Sequence, residues 1–178
     1  NISYTYDNVG NRIAKVTNDN TETYTYIAGT NRLQEVTGPV NFSYDANGNT
    51  TGIGNKVLTY NQNNRLVRVE ENSKILGEYV YNGLGQRVMK TANEVTTIFI
   101  YDFDGNLIAE SQMDGIIISE YLYMGKSRAA KVNAGSGEIY YFHNDHLGTP
   151  ELMTDESGNA VWGVTNKPFG EAIVKSTS

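Results

Sequence analysis

The chain contains no cysteine in 178 residues, which excludes disulfides and thiolate metal sites. Proline occurs only three times and never in the first repeat, so little in the sequence blocks pairing at exposed strand edges. Histidine occurs twice. No apolar run approaches the ~20 residues that cross a bilayer as a helix, and no membrane span is expected. Basic clusters are missing too: 14 Lys and Arg stand against 20 Asp and Glu, a formal charge of −6, which argues against a nucleic-acid partner. Nothing reads as a long helix. Leu, Ile, Val and Phe are sparse enough that a large aliphatic core is not expected.

What is abundant is Asn (21), Gly (18) and Tyr (13), a composition that favours turns and half-dry strands. The tyrosines fall into a repeat of about 20 residues. Its head is Tyr-x-Tyr-Asp-x-x-Gly-Asn-Arg-Ile, seen from Tyr4 to Ile13. The second aromatic recurs at Tyr6, Tyr26, Tyr44, Tyr60, Tyr81, Tyr101 and Tyr123, in steps of 20, 18, 16, 21, 20 and 22. The chain opens already inside a repeat, so we read it as a piece or processed product of something longer.

Each unit reads as a β-hairpin. Tyr4 and Tyr6, two apart, share one face of a strand. Asp7 to Asn11 then make a turn, with Asp7 accepting from later amides and Gly10 supplying positive φ. The same chemistry recurs at Asp45 with Gly48, at Asn82 with Gly85, and at Asp102 with Gly105. Return strands such as Arg65 to Val69 do not alternate cleanly, which leaves either two partly covered faces or bulges. The polar stretches 18–22, 70–74 and 133–137 are read as exposed links between hairpins, and Ile116-Ile117-Ile118 as a strand buried on both faces. Seven or eight hairpins give 14 to 16 strands and a sheet roughly 70 Å wide at ~4.8 Å per strand. The fold class is therefore all-β, with tandem hairpins in a curled or spiral antiparallel sheet forming a shell-like or barrel-like segment.

The stretch Tyr140 to Pro150 holds both histidines and is the first place to look for chemistry. His143, Asp145 and His146 are candidate metal ligands by residue type. If the segment is extended, 143 and 145 share a face while 146 points away, and the alternative is a turn redirected by Leu147, Gly148 and Pro150. Phe142 follows Tyr123 by 19 residues, which counts as one more step of the period. Asp102, Asp104 and Asp155 could pair as acids, but Asp at a fixed place before Gly is a turn residue. The Tyr rows could stack on sugars or, more simply, on one another. Asn1, Asn41 and Asn49 begin Asn-x-Ser/Thr triplets.

The Tyr-Asp-x-x-Gly-Asn-Arg-Ile head at Tyr6 to Ile13 resembles the repeat of the Rhs/YD family, which includes bacterial polymorphic toxins, C components of insecticidal toxin complexes and teneurins. The segment from Tyr140 to Pro150, followed by Leu152 to Trp162 and by Pro168-Phe169-Gly170, is similar to the start of the Rhs-associated core. Lys167 departs from that pattern, where the residue before proline is usually Asp. On this resemblance, residues 1–139 are tandem YD repeats and 140–178 the start of the core, continuous with the array.

The resemblance implies a spiral shell of a large secreted or cell-surface protein of bacterial type, enclosing a C-terminal effector. It also implies a self-cleaving aspartyl protease whose residues lie downstream, so neither catalysis nor a cofactor is expected of this chain. Expected partners are other segments of the parent or identical copies joined through sheet edges, and beyond these an enclosed toxin polypeptide or surface glycans. Two other readings stand beside the shell: a self-assembling filament or tube built by edge pairing, and an adhesive or carbohydrate-binding surface module.

Overall fold

A computed structural model describes residues 1–18, 20–38 and 40–176 of the chain. The described residues form 18 strands and no helix. Two compact units, Asn1–Tyr79 and Val80–Ser178, are set out in turn.

The first unit holds β1 (Ile2–Tyr6), β2 (Arg12–Thr17), β3 (Asn20–Tyr26), β4 (Leu33–Val36), β5 (Val40–Tyr44), β6 (Thr50–Ile53), β7 (Lys56–Tyr60), β8 (Leu66–Glu71) and most of β9 (Lys74–Tyr81). Each strand pairs antiparallel with the next in sequence. The second unit continues the pattern with β10 (Arg87–Ala92), β11 (Val95–Tyr101), β12 (Leu107–Ser111), β13 (Ile117–Met124), β14 (Ser127–Asn133), β15 (Ile139–Asn144), β16 (Pro150–Thr154), β17 (Ala160–Asn166) and β18 (Ala172–Ser176). There too each pairs with its successor. The all-β class of tandem antiparallel hairpins expected from the sequence is the fold observed.

The strand count exceeds the expected 14 to 16 because hairpins continue without tyrosine heads. Asp155 to Asn159 turns β16 into β17, and Lys167 to Glu171 turns β17 into β18, each with the same pair of backbone bonds as the Tyr-headed turns. One link is also shorter than expected. The strands β8 and β9 run through Glu71 and from Lys74, so only Asn72 and Ser73 remain between them, at φ 49 and 65. Two consecutive left-handed residues suit the tight turn that matches strand twist. Asp19, part of another expected link, lies outside the described residues.

Bulges, rather than doubly covered faces, explain the broken alternation. In β2, Tyr6 faces Arg12 but Thr5 faces Ala14, so Ile13 is an extra residue. The same shift passes over Gln34 between Leu33 and Glu35, Val67 between Leu66 and Arg68, Ile108 between Leu107 and Ala109, and Glu151 between Pro150 and Leu152. A bulge at the same point of successive return strands adds twist in the same sense each time.

Neither unit has a thick core. Among the described residues only Tyr24, Gly77, Ala109, Ala130, Ser111 and Ser119 are buried. The triplet Ile116-Ile117-Ile118 is not the doubly buried strand expected: Ile116 is 58% and Ile118 36% exposed. Ile116 closes a turn and Ile118 is the extra residue of a bulge, so only Ile117 enters the regular ladder. The position 139/140, expected as the start of the core segment, falls inside β15, which is tied to β14 through Ala130 with Tyr141, Lys131 with Tyr140, and Val132 with Ile139.

Candidate functional site

The repeat head is a closed hydrogen-bonded unit. At the first head the Asp7 amide donates to the Asn11 carbonyl at 2.9 Å, and the Gly10 amide donates to the Asp7 carbonyl at 3.2 Å. Gly10 sits at φ 87, a left-handed value that closes a three-residue loop with a bulge. Asp7 Oδ1 accepts the amides of Val9 at 3.0 Å and Asn11 at 2.8 Å, while Oδ2 accepts the Asn11 side-chain amide at 2.9 Å.

Asp45 holds Asn49 in the same way, Asp102 holds Asn106, and Asp155 holds Asn159. At Asn61 and Asn82 a side-chain amide oxygen replaces the carboxylate and accepts the amides of Arg65 and Gln86. Donation from the Asn side chain four residues on, together with backbone amides, holds the Asp45, Asp102 and Asp155 carboxyls below their ordinary value. These acids are occupied in binding their own turns.

In four heads the second aromatic reaches back to the preceding hairpin. Tyr26 Oη donates to the Arg12 carbonyl at 2.8 Å, Tyr44 to Leu33 at 2.8 Å, Tyr101 to Arg87 at 3.0 Å and Tyr123 to Leu107 at 3.1 Å. This places the tyrosine rings over the bulged start of the strand before them. The first aromatic is drier. Burial and a hydrogen bond to Glu22 push the Tyr24 hydroxyl up to about 12, and burial beside Glu110 raises that of Tyr121 further.

Where an arginine follows the turn it completes the head, a role that the sequence pattern did not reveal. Arg12 lies 5.7 Å from the Tyr4 ring centre and 4.1 Å from that of Tyr24 in the next hairpin. Arg32 stands over Tyr44, Arg87 over Phe99, and Arg128 over Tyr121, Tyr123 and Phe142. The available signal was the recurrence of Arg directly after the turn at Arg12, Arg32, Arg65 and Arg87. A cation at a polar turn reads as solvated until the next repeat is placed beside it.

The histidine segment belongs to the same scheme, with its register displaced from the one counted in sequence. Tyr123 faces Arg128 at the start of its return strand, and the equivalent pair one hairpin on is Asn144 with Pro150. Phe142 therefore matches Tyr121, whose ring centre lies 6.5 Å away. Asn144 takes the place of the second tyrosine and performs its task, its side-chain amide donating to the Arg128 carbonyl at 2.9 Å. Pro150 opens β16, where a strand tolerates proline.

Asp145 caps the turn by accepting the amides of Thr149 and Leu147, both at 2.8 Å, and Gly148 takes φ 81. Those bonds, that of Thr149 first, hold the Asp145 carboxyl below its ordinary value. His143 Nε2 lies 3.0 Å from Thr154 Oγ1, and His146 sits exposed in the turn. No group of three or more His, Cys, Asp or Glu positioned to hold a metal exists among the described residues, so His143, Asp145 and His146 are not gathered into one.

A single layer of hairpins whose acids, tyrosines and arginines satisfy one another defines a structural wall. The family model of the teneurin YD-shell matches residues 1–178. The tRNA3(Ser)-specific nuclease WapA of Bacillus spizizenii is 30% identical over 98% of this chain and 8% of its own length. Teneurin-1 of Gallus gallus is 27% identical over 75% of this chain and 5% of its own length. The chain thus spans less than a tenth of these curated relatives.

In fold, the chain is similar to part of the Photorhabdus luminescens Tc holotoxin pore, with a TM-score of 0.55 and 15% identity over 98% of this chain and 13% of that one. It is similar also to TcdB2–TccC3 without its hypervariable C-terminal region, with a TM-score of 0.52 and 14% identity over 99% of this chain and 12% of that one. The chain belongs to the teneurin YD-shell family, and with it to the Rhs/YD-repeat proteins.

Proposed function

We propose that this chain is a wall segment of a shell that encloses a C-terminal effector of the same parent protein, on a secreted or cell-surface bacterial toxin. One observation carries the reading: the head residues spend their polar groups on neighbouring hairpins, as residues of a wall that continues from hairpin to hairpin would. Relatives named as tRNA nucleases support an effector that cleaves nucleic acid. A formal charge of −6 does not favour binding of such a substrate, so that activity would reside elsewhere in the parent. Residues 140–178 would begin the closing core.

Limited proteolysis of the full-length parent tests the proposal. The effector inside the intact parent is expected to resist a protease that degrades the same effector expressed alone. Equal rates of loss would overturn it.

A further inference from the structure

On one turn edge of the second unit, the same groove is built twice. The first has a volume of about 680 Å³ and lies between the Asn93-Glu94 turn and the Gln112–Ile116 turn, with Val95, Met113 and Ile118 as its apolar surface and Glu94 and Asp114 on its walls. The second, of about 320 Å³, lies between the 134–138 turn and the Asp155–Asn159 turn. Ile139 and Val161 supply its apolar surface, and Glu138, Asp155 and Glu156 its walls.

The correspondence is positional. Gln112 and Asp155 each open a five-residue turn closed by Gly115 and Gly158, and Ile118 and Val161 are each the extra residue of the following bulge. Val95 and Ile139 each stand at the start of the facing strand.

None of these five carboxylates has a Lys or Arg within ion-pair distance among the described residues, although Asp114, Glu138 and Asp155 accept local hydrogen bonds. Glu94 and Glu156 are exposed. Apolar residues beside carboxylates that carry no ion pair suit a lysine or arginine side chain, whose methylene stem packs on the aliphatic groups while its cationic head meets the acids. The two grooves are four strands apart, about 19 Å at ~4.8 Å per strand. An extended peptide crosses that distance in about six residues at ~3.3 Å each.

We infer that this edge seats an extended basic peptide segment with two cationic side chains about six residues apart, one in each groove. The charge of the grooves selects a cationic occupant, and their spacing selects its repeat.

Fluorescence anisotropy on the full chain at low salt tests this with two dye-labelled Gly/Ser peptides of equal composition, one with two lysines six residues apart and one with them two apart. The wide spacing is expected to bind about fivefold tighter, because only it engages both grooves at once. The double change Glu94→Gln with Glu156→Gln, at two acids that cap no turn, should abolish that advantage. Removing two exposed acids outside the grooves, Glu120→Gln with Glu151→Gln, should leave it intact. Equal affinity for the two spacings, binding of neither peptide, or equal loss in both double variants would each overturn the inference.

Discussion

The guanidinium of Arg128 lies 4.7 Å from the ring centre of Tyr121 and 5.7 Å from that of Phe142, so one cation joins the aromatic heads of two successive repeats. Its Nε also donates to Tyr123 Oη at 3.2 Å, and that hydroxyl donates in turn to the Leu107 carbonyl. Three hairpins are thereby linked through one side chain. In a sheet with almost no buried aliphatic residues, such links replace part of what a core would supply.

Replacing Arg128 by lysine keeps the charge and removes the planar group that stacks on three rings and bonds Tyr123. Arg128→Lys should lower stability by about 1 kcal/mol, read as a shift in the urea midpoint at unchanged slope. A midpoint equal to that of the parent chain would show that the stacking contributes nothing.

The hairpin turns were legible in sequence because Gly10, Gly48 and Gly105 stand at the one place in each turn where φ must be positive, three residues after an acceptor. The bulges were not legible. Ile13, Val67 and Ile108 are apolar residues in apolar strands, and only the pairing register shows that they face no partner. Counting aromatics led to Phe142 as the next step after Tyr123, whereas counting back from the turn acceptor Asp145 would have placed Asn144 there. Three aliphatic residues such as Ile116, Ile117 and Ile118 imply a dry strand only where a second layer exists to cover them. The linking role of Arg12 and Arg128 is not legible in sequence because one ring each holds, Tyr24 or Phe142, lies in the next repeat.

Backbone conformation gives an opposed pair of predictions. Gly105 holds φ 87 in its turn, where a Cβ is strained, so Gly105→Ala should destabilise by about 1–2 kcal/mol. Ser73 holds φ 65 although it carries a Cβ, so Ser73→Gly should relieve strain and stabilise by roughly 0.5–1 kcal/mol. Thermal unfolding of the two variants side by side checks the signs, and a destabilised Ser73→Gly chain would contradict the argument.

Tyr26 and Tyr44 each donate to a carbonyl at the start of the preceding return strand, at 2.8 Å in both cases. Phenylalanine keeps the ring and removes the donor. Tyr26→Phe and Tyr44→Phe should each cost about 1 kcal/mol, and amide exchange should quicken around β2 for the first and β4 for the second. Loss of stability without that local pattern would place the effect elsewhere than in these bonds.

The turn acids predict a pH dependence with a definite sign. Asp45, Asp102 and Asp155 have folded values held below the ordinary 3.8, first by the Asn side chain four residues on and then by backbone amides. A lowered folded value means that the unfolded chain takes up protons first. The stabilisation is therefore complete above the ordinary value and is lost as the pH falls through the lower folded one. Acid should loosen these turns before it affects those built on Asn61 and Asn82, whose acceptors do not titrate. Amide shifts followed by NMR on lowering the pH give a residue-level test. The amides of Asn49, Asn106 and Asn159 should titrate with midpoints below 3.8, while those of Arg65 and Gln86 should show no such step. Midpoints at or above the ordinary value would mean that the carboxylates do not bind their turns in the way the hydrogen bonds indicate.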